Sequence, residues 1–347
     1  MPDKKRIREW VGVPGNFPPG KKNSITDVPG VKAGHFTIHD DRIHTGITLI
    51  SPHDLNAFEN PVPCAVYSGN GFGKLAGSMQ IDELGILESM IGLTNTLSVP
   101  MVMQGLIGHY LENNNGITSI NVVVGETNDS ALSDIGRLAI RPDHVKNAIN
   151  ALSADVPEGA VGAGAGTCCF GYKGGIGTAS RAIPAKFSDG EKLYTMGVIV
   201  QTNFSGNLNI YGRPVPCGTR KKTAGGSCMI IIATDAPVDA RQLKRIAKRG
   251  IAGMTQTGSF LANGSGDFCI AFSNYPGNIF ARGDRTLKTY SVMPDDLISP
   301  LFEAVCDAVR EAIYNSLTMA DTITGRDGVI AEAIDMEKII KTSFPAG

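Results

Sequence analysis

Four short runs of β-branched and other apolar residues limit the folds that this chain can adopt. They are Ile120–Val124, Met196–Val200, Cys228–Ala233 and Phe268–Phe272, and each is bounded by Gly, Asn, Asp or Ser. Runs of this length and composition predict β-strands. Because the apolar residues follow one another almost without interruption, we expect sheets that are covered on both faces.

Helical periodicity is strongest late in the chain. Asp239 is expected to cap a helix over Ala240–Met254, and a longer helical pattern covers Ser299–Thr318. Weaker helical patterns occupy His144–Leu152 and Gln80–Glu88. The strands are grouped before the two strong helices, and this order favours stacked layers of sheet and helix over a regular βαβ winding.

The charge balance excludes several classes of partner. The 347 residues carry 32 Lys and Arg against 33 Asp and Glu, a formal net charge of -1. This balance lacks the broad basic surface that sequence-independent nucleic-acid binding requires. Apolar runs such as Met229–Ala233 are far shorter than the roughly 20 residues needed to cross a bilayer, and no apolar stretch near the start resembles a signal peptide. We therefore expect a cytoplasmic protein with no nucleic-acid or membrane partner, and the length allows one large or two ordinary domains.

Cysteine and histidine are the residues that most often bind transition metals. The seven cysteines form no C-x-x-C pair and lie mostly in apolar runs, which favours reduced, buried thiols over disulfides or zinc ligands. All six histidines lie at or before His144. No cluster has the spacing of metal ligands, so we expect neither a metal nor an organic cofactor. A nucleophile in the later part of the chain needs either a distant histidine or a base other than imidazole.

Two glycine-rich segments, Gly69–Lys74 and Gly162–Gly166, invite comparison with phosphate-binding loops. The first lacks the four-residue gap and the hydroxyl after lysine that hold phosphate and magnesium. The second lacks the G-x-G-x-x-G spacing and a helix start. We interpret these glycines as places where backbone passes close to backbone or to a small ligand.

Another glycine pair, Gly225 and Gly226, precedes Ser227 and follows a polar stretch, Phe204–Thr223, which is predicted to be a solvated connector. The pattern does not match the G-x-S-x-G elbow of α/β-hydrolases, because Met229 replaces the second glycine and a strand follows. Two interpretations stay open: an ordinary turn into a sheet, or a nucleophile that becomes a new N-terminus when the chain is cut. In the second, the new α-amine, with an ordinary pKa of about 7.7–8.0, serves as the base, and Gly226 gives the scissile bond its backbone freedom.

Longer blocks spread over most of the chain carry a resemblance to one family. The blocks are Ile25–Val31 with Gly34-His35, Asn70–Gly77, Gln80–Gly85, Leu93–Val99, Lys173–Arg181 and Ala233–Pro237. In this order they resemble the signature blocks of the DmpA-type peptidases, which include the β-peptidyl aminopeptidases and the L-aminopeptidase/D-Ala-esterase/amidases.

The resemblance implies an α+β fold, a four-layered αββα sandwich like that of N-terminal-nucleophile hydrolases but with different connectivity. It also implies one domain over residues 1–347 that cuts itself between Gly226 and Ser227, giving an α chain of residues 1–226 and a β chain of residues 227–347. The processed pairs are expected to assemble as a homotetramer.

The resemblance also assigns roles to individual residues. Ser227 matches the family nucleophile, and Ser265 and Asp267 match the family's S-x-E/D pair, which is expected to hydrogen-bond the nucleophile or its amine and to hold positive charge. Asn203, at the end of a predicted strand, matches an amide that donates to the developing oxyanion. For the Ser265–Asp267 segment alone, a β-turn before the Phe268 strand is the simpler interpretation, as a turn is for Asn203.

The segment Gly125–Asp129 matches a family loop that lines the substrate pocket. Glu126 is the candidate partner of the substrate's free ammonium, which explains trimming from the N-terminus. Asn128 stands where some relatives carry an aromatic residue such as tyrosine that helps the oxyanion. This departure leaves open the second oxyanion donor and the substrate preference between α- and β-amino acids.

The expected function is that of a self-processing aminopeptidase acting on short peptides, amides and esters through an acyl-enzyme. Two alternatives stay open. One is an amide hydrolase or acyl transferase for non-peptide amino-acid oligomers, which shares the self-cutting chemistry. The other is a non-catalytic relative that binds short peptides and keeps the Gly226–Ser227 bond intact.

Overall fold

Two β-sheets stacked face to face form the centre of the computed structural model, which describes residues 4–219 and 225–344. The helices in these ranges are α1 (Ile7–Val11), α2 (Ser78–Leu84), α3 (Val99–Asn113), α4 (Asp143–Asn150), α5 (Ala240–Gln256), α6 (Ser299–Thr318) and α7 (Met336–Ser343). The strands are β1 (Lys32–His39), β2 (His44–Ser51), β3 (Val62–Gly71), β4 (Leu75–Ala76), β5 (Ile86–Leu87), β6 (Ile91–Asn95), β7 (Val123–Thr127), β8 (Cys168–Cys169), β9 (Tyr172–Lys173), β10 (Ile176–Phe187), β11 (Gly190–Phe204), β12 (Asn209–Ile210), β13 (Arg213–Pro214), β14 (Gly226–Thr234), β15 (Ser265–Ser273), β16 (Ile323–Thr324) and β17 (Ile330–Ala331).

The strand order shows how each large sheet is built. The first sheet has the order β1-β2-β6-β7-β4, and the second has the order β10-β11-β14-β15-β3-β5. In each sheet one central pair is parallel: β6 with β7, and β14 with β15. Parallel neighbours need a crossover connection, and α3 and α5 supply it in the two sheets.

Helices cover the outer face of each sheet, which gives four layers. Helices α3 and α4 pack on the first sheet, and α5 and α6 pack on the second. Three apolar cores separate the layers: one under α3 and α4, one between the sheets and one under α5 and α6. Residues typical of the central core are Leu93, Val123, Met229, Ile231 and Ile270. The expected α+β, four-layered αββα sandwich is confirmed.

Most of the predicted elements lie inside observed ones. The runs Cys228–Ala233 and Phe268–Phe272 lie within β14 and β15, and Met196–Val200 is the middle of the longer strand β11. Asp239 caps α5 as predicted, because its side chain accepts a hydrogen bond from the Gln242 backbone N–H. The predicted helix Ser299–Thr318 is α6 with the same bounds.

Two predictions of element bounds were wrong in part. The run Ile120–Val124 was predicted as a strand, but β7 begins at Val123 because its pairing with β6 starts with Ile91 opposite Val123. The predicted helix over Gln80–Glu88 ends at Leu84, where Gly85 adopts a left-handed conformation with φ 68°.

The stretch predicted as a solvated connector, Phe204–Thr223, is only partly so. Leu208 and Ile210 are buried, and the hairpin β12–β13 is fixed by the Tyr314 hydroxyl, which donates to the Asn209 carbonyl at 2.6 Å. Residues 220–223 of that stretch lie outside the described residues.

Helix α3 was not predicted. Its sequence contains Pro100, Gly105 and Gly108, which weaken a helical pattern. The structure explains Gly105: a Cβ there would lie 2.5 Å from a methyl of Val145 and 2.6 Å from the Pro142 carbonyl oxygen. The glycine allows α3 to pack closely against the start of α4.

Two further expectations concern the surface and the thiols. No helix within residues 4–219 and 225–344 is long and apolar enough to cross a membrane. All seven cysteines lie in these ranges and are free thiols; four are buried, and Cys168, Cys217 and Cys306 are partly exposed. Burial of the thiols is therefore less complete than predicted.

Candidate active site

Ser227 is the second residue of β14, in the middle of the second sheet between β11 and β15. Its Oγ donates a hydrogen bond to the carbonyl oxygen of Gly226 at 2.5 Å. Gly226 has φ 148°, and a Cβ there would lie 2.4 Å from the Asn203 carbonyl oxygen. Only glycine adopts this backbone conformation without strain, and a side chain here would collide with the Asn203 backbone.

Asn203 is directly opposite Ser227 in the antiparallel pairing of β11 with β14. Its amide oxygen accepts a hydrogen bond from the Cys168 backbone N–H at 3.1 Å. This contact fixes the amide, so its NH₂ group remains as the donor. Two residues earlier, Gln201 donates to the Thr94 carbonyl and to the Thr127 hydroxyl in the first sheet. Since alternate residues of a strand share a face, Asn203 and Ser227 both face the first sheet.

Ser265 and Asp267 lie within β15, not in a turn before it. In the parallel pairing with β14, Ser265 is opposite Gly226 and Asp267 is opposite Cys228. The Ser265 hydroxyl donates to one oxygen of the Asp267 carboxylate at 2.8 Å. The pair therefore shares a face with Cys228, the face that lies toward α5 and α6, whereas Ser227 is on the other face.

The Asp267 carboxyl is fully buried and incompletely partnered. Its Oδ2 has no hydrogen-bond partner among the described residues. Burial raises the pKa of Asp267 to about 6, against the hydrogen bond from Ser265, which lowers it. No hydrogen bond joins Ser227 to Ser265 or Asp267 within the described residues, so the pair is near the nucleophile's backbone without touching its hydroxyl.

Glu126 is the penultimate residue of β7 and is only 3% exposed. One carboxylate oxygen accepts from the Lys74 backbone N–H at 3.1 Å and lies 3.3 Å from Lys74 Nζ. The other accepts from the Thr96 hydroxyl. The predicted partner of a substrate ammonium thus already holds one ammonium, that of Lys74. Asn128 is exposed, and its side-chain oxygen accepts from the Ser130 backbone N–H at 2.9 Å.

These residues meet at a cleft of about 890 Å³. Its walls include Ser227, Asn203, Glu126 and Asn128, so the structure brings these four predicted residues together. Ser265 and Asp267 lie behind the cleft wall, and neither is among the residues that line it. None of the histidines, all of which are described, lines the cleft. The described residues bring together no group of three or more His, Cys, Asp or Glu side chains that could hold a metal.

Lys173 orders the loop that precedes β8. Its side chain is fully buried, and its Nζ donates to the carbonyl oxygens of Gly164, Thr167 and Gly174 at 2.7–2.9 Å. Burial lowers the pKa of Lys173 to about 8. These contacts fix the loop that leads into β8, whose Cys168 N–H orients Asn203.

Comparison with known proteins assigns the chain to a family. The sequence model of Peptidase family S58 matches residues 23–331, which is most of the chain. The chain belongs to peptidase family S58. It is therefore a hydrolase of the aminopeptidase kind, and the resemblance inferred from the sequence blocks is confirmed.

Relatives in the S58 family match nearly the whole chain. The β-peptidyl aminopeptidase BapA of Sphingosinicella microcystinivorans is 36% identical, over 92% of this chain and 87% of its own length. A crystal structure of a Pyrococcus horikoshii OT3 protein superposes with a TM-score of 0.91 at 41% identity, covering 97% of this chain and 98% of that one. The L-aminopeptidase D-Ala-esterase/amidase of Ochrobactrum anthropi superposes with a TM-score of 0.87 at 30% identity, over 97% and 98%. The last is described as a new variant of the Ntn hydrolase fold, which agrees with the layers seen here.

Sequence reasoning missed several residues of this S58 site. Lys74 and Thr96 hydrogen-bond Glu126. Lys74 lies in the block Asn70–Gly77 and Thr96 in the block Leu93–Val99, so the resemblance could have indicated them. Arg326 lines the cleft from the far end of the chain. No local pattern marks Arg326, because only the tertiary fold brings it beside the loop that follows β7.

Proposed function

We propose that this S58 peptidase is a self-processing aminopeptidase in which Ser227 first cuts the chain and then serves as the nucleophile for substrates. The observation that carries the proposal is the hydrogen bond from Ser227 Oγ to the Gly226 carbonyl oxygen, at 2.5 Å. Gly226 itself has φ 148°. The products are residues 1–226 and 227–347, which stay together as one αββα domain because strands from both contribute to the second sheet.

The cutting step is an N-to-O acyl shift. Ser227 Oγ attacks the Gly226 carbonyl carbon through a five-membered ring, and the hydroxyl proton passes to the Ser227 nitrogen as the C–N bond breaks. The resulting ester joins Gly226 to Ser227 Oγ. Water then hydrolyses that ester, giving the Gly226 carboxylate, the free Ser227 hydroxyl and a new α-amine.

The new amine serves as the base in turnover. An α-amine has an ordinary pKa of about 7.7–8.0, so it accepts a proton near neutral pH. The register supports this role, because Ser265 is opposite Gly226, the residue released from Ser227 by the cut. The ammonium formed during turnover would lie near the Ser265 hydroxyl and the unpartnered Oδ2 of Asp267, where a buried carboxylate stabilises a positive charge.

Turnover then follows the acyl-enzyme course. The Ser227 hydroxyl gives its proton to the amine and attacks the carbonyl carbon of the substrate's first residue. The Asn203 NH₂ group donates to the oxyanion as its charge develops. The ammonium returns the proton to the leaving amine, and water, activated by the same amine, hydrolyses the acyl ester.

Glu126 binds the free ammonium of the substrate and so restricts the enzyme to N-terminal residues. The carboxylate is buried in the cleft wall, and its present partner Lys74 Nζ lies at the end of a flexible side chain that is 51% exposed. The substrate ammonium displaces Lys74 Nζ into solvent, while the Lys74 backbone N–H and the Thr96 hydroxyl continue to hold the carboxylate.

A denaturing gel of Ser227→Ala and Ser227→Cys, with an assay of β-alanyl and L-alanyl anilides, tests the proposal. Ser227→Ala should remain one chain of 36.6 kDa with no activity, whereas Ser227→Cys retains a nucleophile and should still cut. Ser188→Ala, an exposed serine in the turn between β10 and β11, is the control and should cut and turn over normally. Two fragments from Ser227→Ala would refute the assignment.

Size-exclusion chromatography with light scattering tests the expected assembly and should give a homotetramer of cut pairs.

A further inference from the structure

The charged residues that line the cleft are unequally partnered. They are Lys74, Glu126, Arg326 and Asp327. Lys74 pairs with Glu126 at 3.3 Å, and Asp327 pairs with Arg42 at 3.2 Å. Within residues 4–219 and 225–344, the guanidinium of Arg326 makes no ion pair or hydrogen bond. Arg326 thus brings an uncompensated positive charge to a cleft whose other charges are balanced.

The backbone holds Arg326 in place. The Arg326 N–H donates to the Leu132 carbonyl at 2.8 Å, and the Arg326 carbonyl accepts from Val329 N–H at 3.1 Å. The preceding Gly325 packs so closely that a Cβ there would lie 2.5 Å from the Leu132 carbonyl oxygen. The residue is half-buried at the turn between β16 and β17. Its side chain therefore starts from a fixed point on the cleft wall, which lowers the cost of ordering it around a ligand.

The two opposite charges available to a substrate are held by different parts of the chain. Glu126 is fixed to Lys74 and Thr96, whereas Arg326 is fixed to Leu132, beyond the loop that follows β7. A substrate that places its ammonium at Glu126 and its first carbonyl at Ser227 extends its leaving group into the remainder of the cleft. An extended dipeptide spans at most about 7 Å, which a cleft of about 890 Å³ accommodates.

We propose that Arg326 binds the C-terminal carboxylate of a short peptide, which makes dipeptides with a free carboxylate the preferred substrates. This inference rests on the proposed function. A guanidinium presents paired N–H donors that match a carboxylate, and such charge-assisted contacts are stronger than neutral ones. Amides and esters of the same dipeptides lack that charge, and they bind without the Arg326 contact.

The test compares matched acid and amide substrates. Wild type, Arg326→Gln and Arg326→Lys are assayed with β-alanyl-leucine and L-alanyl-leucine, each as the free acid and as its C-terminal amide. Arg326→Gln should raise KM for the acids at least about tenfold and leave KM for the amides unchanged. Arg326→Lys should fall between, since it keeps the charge without the paired donors. Equal effects on acid and amide, or none, would overturn the inference.

The control is Arg137→Gln, which removes the same charge from an arginine outside the cleft, paired with Asp134. Arg137→Gln should leave KM for the acids and for the amides unchanged. This result distinguishes a direct contact of Arg326 with the carboxylate from a long-range effect of positive charge.

Failure of the proposed function gives a different result. If wild type cleaves none of the four compounds, the aminopeptidase proposal fails. Calorimetric titration with the same acids and amides still measures whether Arg326 binds the carboxylate. Acid-selective binding that is lost in Arg326→Gln supports the inference, and equal binding of acid and amide refutes it.

Discussion

Ser265 lies opposite Gly226, and not opposite Ser227, in the parallel pairing of β14 with β15. The Ser265–Asp267 pair therefore faces away from the Ser227 hydroxyl, but it lies beside the Gly226–Ser227 bond. This arrangement favours a role toward the new α-amine over a role toward the hydroxyl. It also makes Asp267 a buried carboxylate that has no counter-ion among the described residues before the cut.

Asp267→Asn should stabilise the uncut chain in a pH-dependent way. Burial raises the pKa of Asp267 to about 6 from an ordinary 3.8. The stability that this group contributes is fully present below pH 3.8 and is lost as the pH rises through about 6. Thermal unfolding of Ser227→Ala should therefore show lower stability than Ser227→Ala with Asp267→Asn, by about 1–3 kcal/mol at pH 8, and no such gap at pH 3.5. A gap that is the same at both pH values would contradict this.

Gly226→Ala should stop the self-cutting or slow it at least about 100-fold. The added Cβ would lie 2.4 Å from the Asn203 carbonyl oxygen and 2.5 Å from Phe204 Cα, both backbone atoms that cannot move aside easily. The start of β14 must shift, and the hydroxyl then loses its alignment with the scissile carbonyl. A time course on denaturing gels measures the rate. Gly190→Ala is the control: that glycine also has a positive φ, 133°, but no atom lies within 4 Å of its Cβ position. Normal cutting by Gly226→Ala would count against the role of this glycine.

Asn203→Asp should lower kcat by about 10²–10³-fold with a smaller change in KM. The carboxylate can still accept from Cys168 N–H, as the amide oxygen does at 3.1 Å, but it replaces the NH₂ donor with a negative oxygen. An oxyanion donor acts mainly in the transition state, so its loss appears in kcat. Steady-state kinetics on purified cut enzyme measure the split. An increase confined to KM would assign Asn203 to substrate binding instead.

Lys74→Met should lower KM for substrates with a free amine by about two- to fivefold. Lys74 Nζ lies 3.3 Å from the Glu126 carboxylate, and the substrate ammonium must displace it. Solvent screens the lysine end of this ion pair, because the Lys74 side chain is 51% exposed, so the gain is modest. Lys74→Arg keeps a competing cation and should not lower KM. A higher KM in Lys74→Met would mean that Lys74 assists binding.

Local pattern predicted the parts of the fold that depend on local chemistry. The apolar strands β14 and β15 were identified because burial on both faces leaves an unbroken apolar run. The amphipathic helix α5 was identified because burial of one stripe leaves a helical periodicity. Helix α3 was missed because Gly105 lowers the helical propensity of its sequence. The glycine is needed for close packing against Val145, and the sequence does not show that contact.

The candidate site divides in the same way. Ser227, Asn203 and Glu126 stand near strand ends or starts next to recognisable blocks, and the fold brings them to one cleft. Arg326 lies 99 positions beyond Ser227 (326 − 227), and its backbone N–H donates to Leu132 in the loop that follows β7. The face occupied by Ser265 depends on the register of β14 with β15, which the spacing of 38 residues (265 − 227) does not determine.

Intact-mass measurement of purified, active protein tests the central claim most directly. Two polypeptides should appear, one ending at Gly226 and one beginning at Ser227 with an unblocked α-amine, and the hydrolytic activity should follow the amount of the second. Active material that contains only the uncut 36.6 kDa chain would contradict the account.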